Sequence, residues 1–366
     1  MAMDIEPLVF DVPPSKDNRP GLKLCAKRYT TAQSVGETEG WTLLFTHCIS
    51  SHKEVWEPVI ERLFQLQQTT PKARRVREAY SFDWQTHGAA GILNEEALKS
   101  RPEGVTGYEW AAAIAAFVKA YHLDARKTVA IGHSVGAGIL ICSTMYFLST
   151  PYSSFILVEP TIVSEQMYNG AFVHRQHARL ALISLTPDHI DAHRFVDEMV
   201  ISNTLKRRDV WEDKAVALKW LSTKSPWKYW DLRALELYSL HGLRPVGDGP
   251  NVTLSCAKAQ EARAWAHNEP HPEPGKPPRS TPKDAAELFK SLCKQGPIHV
   301  IWGSRNNFNP VYIQEALTDE SQGRVAASVT KVEGAGHFVV QEKPDALAEK
   351  IAAALDGSGQ ATPSKL

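Results

Sequence analysis

Residues 130–138 read AIGHSVGAG, and inside them Gly132-His133-Ser134-Val135-Gly136 is a G-x-S-x-G. The motif carries meaning only where a strand runs into it and a helix leaves it. Thr128-Val129-Ala130-Ile131 is short, apolar and β-prone, which predicts a buried strand, and Val135–Leu148 reads as a helix. The turn between them must be sharp. Small residues at Gly132 and Gly136 let the backbone make it without a clash. Ser134 then projects above the sheet, with the Val135 N–H aimed at a developing oxyanion. The start of the helix adds partial positive charge. On this reading Ser134 is a nucleophile; the alternative is an incidental serine in a glycine-rich turn. A serine hydroxyl is a poor nucleophile until a base takes its proton. The chain must therefore also supply a base, a carboxylate and a second oxyanion donor.

Working outward, Trp41–His47 and Arg77–Asp83 read as strands before the motif, with a helical pattern from Trp56 to Phe64 between them. The alanine-rich Tyr108–His122 reads as a helix. After the motif, Phe155–Val158, His299–Trp302 and the weaker Val329–Val332 read as strands, and Pro344–Leu355 as a closing amphipathic helix. Alternating strands and helices predict an α/β fold, a mostly parallel central sheet covered by helices on both faces. The alternation breaks between residues 164 and 289, where helical patterns dominate. This predicts a core at 1–163, a largely helical cap or lid inserted at 164–289, a second core part at 290–358 and a flexible tail at 359–366. The proline-rich Asn268–Lys283 reads as a surface loop. The insertion holds Trp211, Trp220, Trp227, Trp230 and Trp265. These either hold the cap together or line an apolar substrate pocket, with Trp227 and Trp230 as the pocket candidates alongside Cys48.

The base should follow the last core strand. Gly334-Ala335-Gly336-His337-Phe338 places His337 there, before the final helix. The acid is harder to find. The loop after His299–Trp302 reads Gly303-Ser304-Arg305-Asn306-Asn307-Phe308 and holds no carboxylate. A neutral amide from Asn306 or Asn307 could orient an imidazole but not stabilise an imidazolium as a carboxylate does. One strand earlier, Phe155–Val158 runs directly into Glu159, on the side of the sheet where Ser134 emerges. The order Ser134, Glu159, His337 keeps nucleophile, acid and histidine in sequence. The acid is therefore expected at Glu159, with Asn307 as the fallback orienter. The second oxyanion donor should come from His47-Cys48-Ile49-Ser50-Ser51-His52. The Ile49 N–H is the favoured donor and the Cys48 N–H the alternative. Cys48 as a reactive thiol is the weaker reading, since no basic partner is evident.

The 41 basic and 41 acidic residues among 366 cancel, so charge favours neither nucleic acid nor an anionic membrane as partner. No apolar run is long enough to span a bilayer. Five scattered cysteines without a C-x-x-C suggest reduced thiols inside a cell. The chain ends Ser364-Lys365-Leu366, an address read by the peroxisomal import receptor. His174, His177, His189 and His193 lie in the presumed cap but do not match H-E-x-x-H, so neither metal nor cofactor is expected. Oligomeric state is left open, a dimer included.

The combination of Ser81-Phe82-Asp83-Trp84-Gln85-Thr86-His87-Gly88, Ile131-Gly132-His133-Ser134, Ile156-Leu157-Val158-Glu159-Pro160, Gly336-His337-Phe338 and the terminal Ser-Lys-Leu resembles fungal peroxisomal hydrolases of the α/β-hydrolase fold. The family includes biosynthetic acyl-CoA hydrolases and a lipase. The resemblance implies an acid after the earlier strand, in agreement with Glu159, and an acyl-CoA or related ester cut by water. It also implies a biosynthetic role, in fungal secondary metabolism. Cys48 departs from the glycine usual at its position, and Val135 from the Met, Phe or Gln often found at its own. The expected activity is an acyl-CoA thioesterase. The alternatives are a carboxylesterase, lipase or lactonase on an oxygen ester, and a non-hydrolytic lyase or binding protein.

Overall fold

The computed structural model describes residues 2–67, 70–164, 192–266, 269, 271 and 273–357, of which 192–198 in backbone only. Its strands in chain order are β1 (Met3–Asp11), β2 (Lys23–Thr31), β3 (Trp41–Thr46), β4 (Val76–Phe82), β5 (Thr128–His133), β6 (Ser154–Val158), β7 (Val210–Trp211), β8 (Leu243–Pro245), β9 (Val252–Leu254), β10 (Ile298–Gly303) and β11 (Ser328–Val332). Eight of them form one sheet in the order β1-β2-β4-β3-β5-β6-β10-β11. The strands from β4 to β11 run parallel. β1 and β2 add an antiparallel edge. Those two strands carry no signal in the sequence. β1 contains a proline and is largely exposed, and β2 mixes charges among its buried positions.

The inner strands are buried on both faces and alternate between two apolar layers. In β5, Val129 and Ile131 face one layer and Ala130 the other. One layer packs Trp110, Ile114 and Phe117 of the helix Gly107–Ala120, Ile139 of the helix Val135–Ser143, and Phe289. The opposite layer packs Val59, Ile60 and Leu63 of the helix Glu57–Leu66 against Leu347 and Ile351 of the helix Pro344–Leu355. The helix expected over Val135–Leu148 ends at Ser143, and a short 3₁₀ turn, Thr144–Tyr146, follows. Thr106 and Glu109 close a capping box at the start of Gly107–Ala120, satisfying two backbone donors reciprocally.

The insertion contains the helices Ala192–Lys206, Lys214–Leu221, Leu232–His241 and Lys258–Ala264. It also holds a small antiparallel sheet, β7-β9-β8, which the reading of a largely helical cap does not include. The expected loop over 268–283 ends earlier than its prolines suggest. Thr281-Pro282-Lys283 opens the helix Thr281–Leu292, with Pro282 in the first turn, where a missing N–H loses no bond. Ala285, Ala286 and Phe289 of this helix pack in the core layer of Ile139, so it lies on the core side of the boundary drawn at 289. Part of the expected cap, the tail with Ser364-Lys365-Leu366, and His174, His177 and His189 lie outside the described residues.

Asp83 explains the run Ser81–Gly88. Its carboxylate is fully buried and accepts from both the backbone N–H and the Nζ of Lys53, each at 2.8 Å. Lys53 also pairs with Glu54 at 2.8 Å. This network pins the segment after the oxyanion loop to the end of β4. Removing one partner of a buried pair leaves an uncompensated charge. Lys53→Met is therefore expected to lower the unfolding free energy by roughly 3–5 kcal/mol in urea titration; a change below about 1 kcal/mol, the range of exposed pairs, would show the network to be dispensable.

Candidate active site

β5 delivers Ser134 into a backbone conformation that side chains rarely adopt, with φ 57° and ψ −122°. The Ser134 N–H donates to the Val158 carbonyl at 2.9 Å, which fixes the turn against β6. The flanking glycines are required by close approach. A Cβ on Gly132 would lie 2.5 Å from the Ala137 backbone, and one on Gly136 would lie 2.7 Å from the His47 carbonyl oxygen. The loop after β3 therefore packs directly on the start of the helix that carries Val135. Thr46 ties the two together by donating its hydroxyl to the Gly136 carbonyl at 2.9 Å.

The three residues expected to act together meet. His337 Nε2 stands 3.0 Å from Ser134 Oγ, and His337 Nδ1 stands 3.0 Å from Glu159 Oε2. Glu159 is the first residue after β6, has φ 45° and is buried. Its Oε1 accepts the Gly303 N–H at 2.6 Å, and its Oε2 also accepts from Asn309 Nδ2 at 2.8 Å. A carboxylate in this position accepts from Nδ1–H. That leaves the Nε2 lone pair to face the serine hydroxyl.

The histidine loop is braced from several sides. Gly334 donates to Ser304 Oγ at 2.9 Å, and Gly336 donates to Glu342 at 2.8 Å. Glu342 is itself paired with Arg305. Asn307 Oδ1 accepts the His337 backbone N–H at 2.9 Å, so it holds the loop and not the imidazole. Asn306 accepts instead from Gln314. His133 Nε2 donates to the His337 carbonyl at 2.7 Å. Phe308 stacks on the imidazole, with ring centroids 4.1 Å apart. Asn309 and Phe308 were not read from the sequence. Their one signal was position in the loop after β10, a loop searched for a carboxylate.

The loop after β3 is equally defined. His47 accepts the Trp84 N–H on Nε2 at 3.1 Å, so its Nδ1 carries the proton and donates to the Cys48 carbonyl at 2.7 Å. Among the described residues, the Ile49 N–H has no hydrogen-bond acceptor, whereas the Cys48 N–H faces its own sulfur. The Cys48 thiol is buried, which pushes its pKa up to about 12 and keeps it neutral. Gln341 Nε2 lies 3.5 Å from its sulfur. His87 stacks on Trp84 and serves the packing of this loop. Trp227 and Trp230 pack with Tyr238 inside the cap. The edge of this cluster, Phe338, is the residue next to His337, 5.9 Å from Trp230 between ring centroids. Among the described residues, no group of three or more His, Cys, Asp or Glu could hold a metal, and no helix is long and apolar enough to cross a membrane.

Residues 43–350 match the family described as the alpha/beta hydrolase family. The chain belongs to that family. Solved structures agree on the fold. The peroxisomal alpha-beta-hydrolase Lpx1 of Saccharomyces cerevisiae superimposes with a TM-score of 0.68 at 16% identity, over 100% of this chain and 91% of that one. The thioesterase domain of the curacin biosynthetic pathway gives a TM-score of 0.57 at 15% identity, over 96% and 99%. A thermophilic esterase of Thermogutta terrifontis gives 0.55 at 14% identity, over 97% and 99%. No curated protein matches the chain in sequence. The α/β-hydrolase fold is thus established.

Buried histidines surround this site, and burial disfavours their charged form. His47 is pushed down to about 3 and His241 to about 4, with His87 and His133 well below the usual range. In the unfolded chain all four would take protons near pH 6.5. Between that pH and the folded values the unfolded state binds more protons, so stability falls as pH falls below about 6.5. Half-buried Glu269, pushed up to about 7 by desolvation, and Asp83, raised by its burial, act with the opposite sign, but the lowered histidines, His299 among them, outnumber them. Unfolding free energy from urea titration should be lower at pH 5 than at pH 7.5; an equal or higher value at pH 5 would refute this assignment.

Proposed function

We propose that this protein is a serine hydrolase that cleaves an acyl-CoA thioester to free acid and CoA in peroxisomes, in fungal secondary metabolism. The observation that carries the hydrolase is the unbroken line from Ser134 Oγ to His337 Nε2 and from His337 Nδ1 to Glu159, each step 3.0 Å. Support for the thioester is less direct. It comes from the resemblance to fungal peroxisomal hydrolases, from the terminal Ser364-Lys365-Leu366, and from the fold shared with Lpx1 and a thioesterase domain.

In this mechanism Ser134 attacks the thioester carbonyl while His337 Nε2 takes the hydroxyl proton. Glu159 remains ionised and stabilises the imidazolium. The Val135 and Ile49 N–H groups, with Cys48 as the alternative to Ile49, bind the oxyanion. Collapse of the tetrahedral intermediate breaks the carbon–sulfur bond, and His337 returns its proton to the departing CoA sulfur. Water, deprotonated by His337, then attacks the acyl-enzyme and releases the acid. The buried carboxylate is suited to its role because the Gly303 N–H and Asn309 amide compensate the charge that His337 alone would leave partly unpaired.

The test is release of CoA from short, long and aromatic acyl-CoAs, detected by chromatography, with wild type and Ser134→Ala. The wild type should release CoA and the variant none above background. Glu159→Gln should lower kcat by roughly 10⁴-fold, the scale seen when a triad carboxylate becomes an amide. Cleavage of oxygen esters by a wild type that leaves every acyl-CoA intact would reassign the enzyme as a carboxylesterase, lipase or lactonase. Binding of acyl-CoA without turnover or labelling of Ser134 by a fluorophosphonate would reassign it as a non-hydrolytic member.

A further inference from the structure

The residue after Ile49 is also held out of an ordinary conformation. Ser50 has φ 66°, a left-handed value that disfavours any residue with a Cβ. Two contacts hold it. Its N–H points at His87 Nε2 at 3.4 Å, a long bond from the core. Its hydroxyl donates to the carboxylate of Glu261, which belongs to the insertion. Glu261 is buried and receives the Arg207 guanidinium on both oxygens, at 3.0 and 2.6 Å. Arg207 follows the helix Ala192–Lys206, and Glu261 lies on the helix Lys258–Ala264, which packs against it. The guanidinium also lies 5.9 Å from the Trp227 ring centroid. A bidentate, buried pair of this kind is rigid and directional. It leaves the Glu261 carboxylate fixed in place, with Ser50 as its remaining donor.

We propose that Glu261, fixed by Arg207, is a positioning residue for the oxyanion loop. Through the Ser50 hydroxyl it holds the strained backbone that carries the Ile49 and Cys48 N–H groups, so the insertion sets the geometry of the oxyanion hole. This rests on the hydrolase reading above. The core fixes the loop on either side, through His47 and Thr46 before it and Lys53 and Asp83 after it, and the insertion holds Ser50 between them. Without its anchor, a residue with a Cβ relaxes toward negative φ and turns the adjacent peptide away. A glycine at the same place has no such preference.

That asymmetry gives the test. Ser50→Ala keeps the Cβ and removes only the hydroxyl, leaving the buried ion pair intact. Ser50→Gly removes the hydroxyl and the strain together. Hydrolysis of p-nitrophenyl acetate and the rate of fluorophosphonate attachment to Ser134 are measured on variants whose fold is verified by circular dichroism. Ser50→Ala should lower kcat by about 10- to 100-fold, with KM within about twofold, and slow attachment by a similar factor. Ser50→Gly should return to within about threefold of wild type, since glycine takes the same φ without strain. Arg207→Met with Glu261→Leu replaces the pair without stranding a charge. It should reproduce the loss, and Ser50→Gly in that background should relieve it. Equal rates for Ser50→Ala and wild type, or equal losses for Ser50→Ala and Ser50→Gly, would overturn the proposal, and the Ser50 pair decides this even where the double variant does not fold. A wild type that neither hydrolyses the ester nor labels at Ser134 would overturn the hydrolase reading, and this inference with it.

Discussion

The turn at Ser134 is the constraint to which the surrounding structure answers. A non-glycine residue held at φ 57° costs on the order of 1–3 kcal/mol, and it persists only where its surroundings over-determine it. Here they do. The Ser134 N–H is committed to β6, the two glycines allow contacts that no side chain could, and Thr46 closes the gap to β3. The result is a hydroxyl lifted clear of the sheet, beside the free N–H groups of the first helical turn. The parallel order β4-β3-β5-β6-β10-β11 then gathers the carboxyl ends of six strands, and the loops that leave them, along one edge. His337, after β11, and Glu159, after β6, arrive by that route.

Glu159 shows how an acid can sit one strand away from the loop where it is first sought. β6 and β10 are neighbours, with Val158 paired to Ile301, so the ends of the two strands lie side by side. Moving the acid from one to the other shifts its backbone by about one strand spacing, near 4.8 Å. A positive φ at Glu159 and a glutamate side chain, longer by one methylene than aspartate, make up the difference. The loop after β10 retains a part in the site. Its Gly303 N–H and its Asn309 amide take up the carboxylate lone pairs that His337 does not use. Burying a carboxylate is costly unless its oxygens are hydrogen-bonded, and here three donors meet them.

How much of this was legible depends on whether the signal was local. Ser134 was, because a strand, two glycines and a helix adjoin it in sequence. His337 was, through its small neighbours and its place before the last helix. Glu159 followed by topology, from the rule that strand ends share an edge. Asn309, Phe308 and the pairing of Arg305 with Glu342 were not legible, since each gains its meaning from a partner at least 29 residues away. The antiparallel edge was missed for a different reason. β1 is largely exposed, with Leu8 and Phe10 half-buried against the core, and β2 carries charges, so neither shows a clean alternation of period two along its length. The tryptophans of the insertion were legible as apolar but not as to purpose. Trp227 and Trp230 bury most of their surface against each other and Tyr238.

The site is therefore supported unequally. Hydrogen bonds from the core hold His337 and Glu159, through Ser304, Asn307, Asn309, Glu342 and His133. The insertion meets these residues at several described points, among them Phe338 beside His337, Tyr229 against Arg305 and Ser50 beside Ile49. A fold that hosts many chemistries keeps the proton-transfer parts on its invariant frame and varies what lies above them. Contacts at Phe338 and Ser50 bring the insertion against the residue beside the imidazole and against the loop after β3. Under the proposed function, changes in the insertion would bear on the chemistry as well, because the Arg207–Glu261 pair beside Trp227 also holds Ser50.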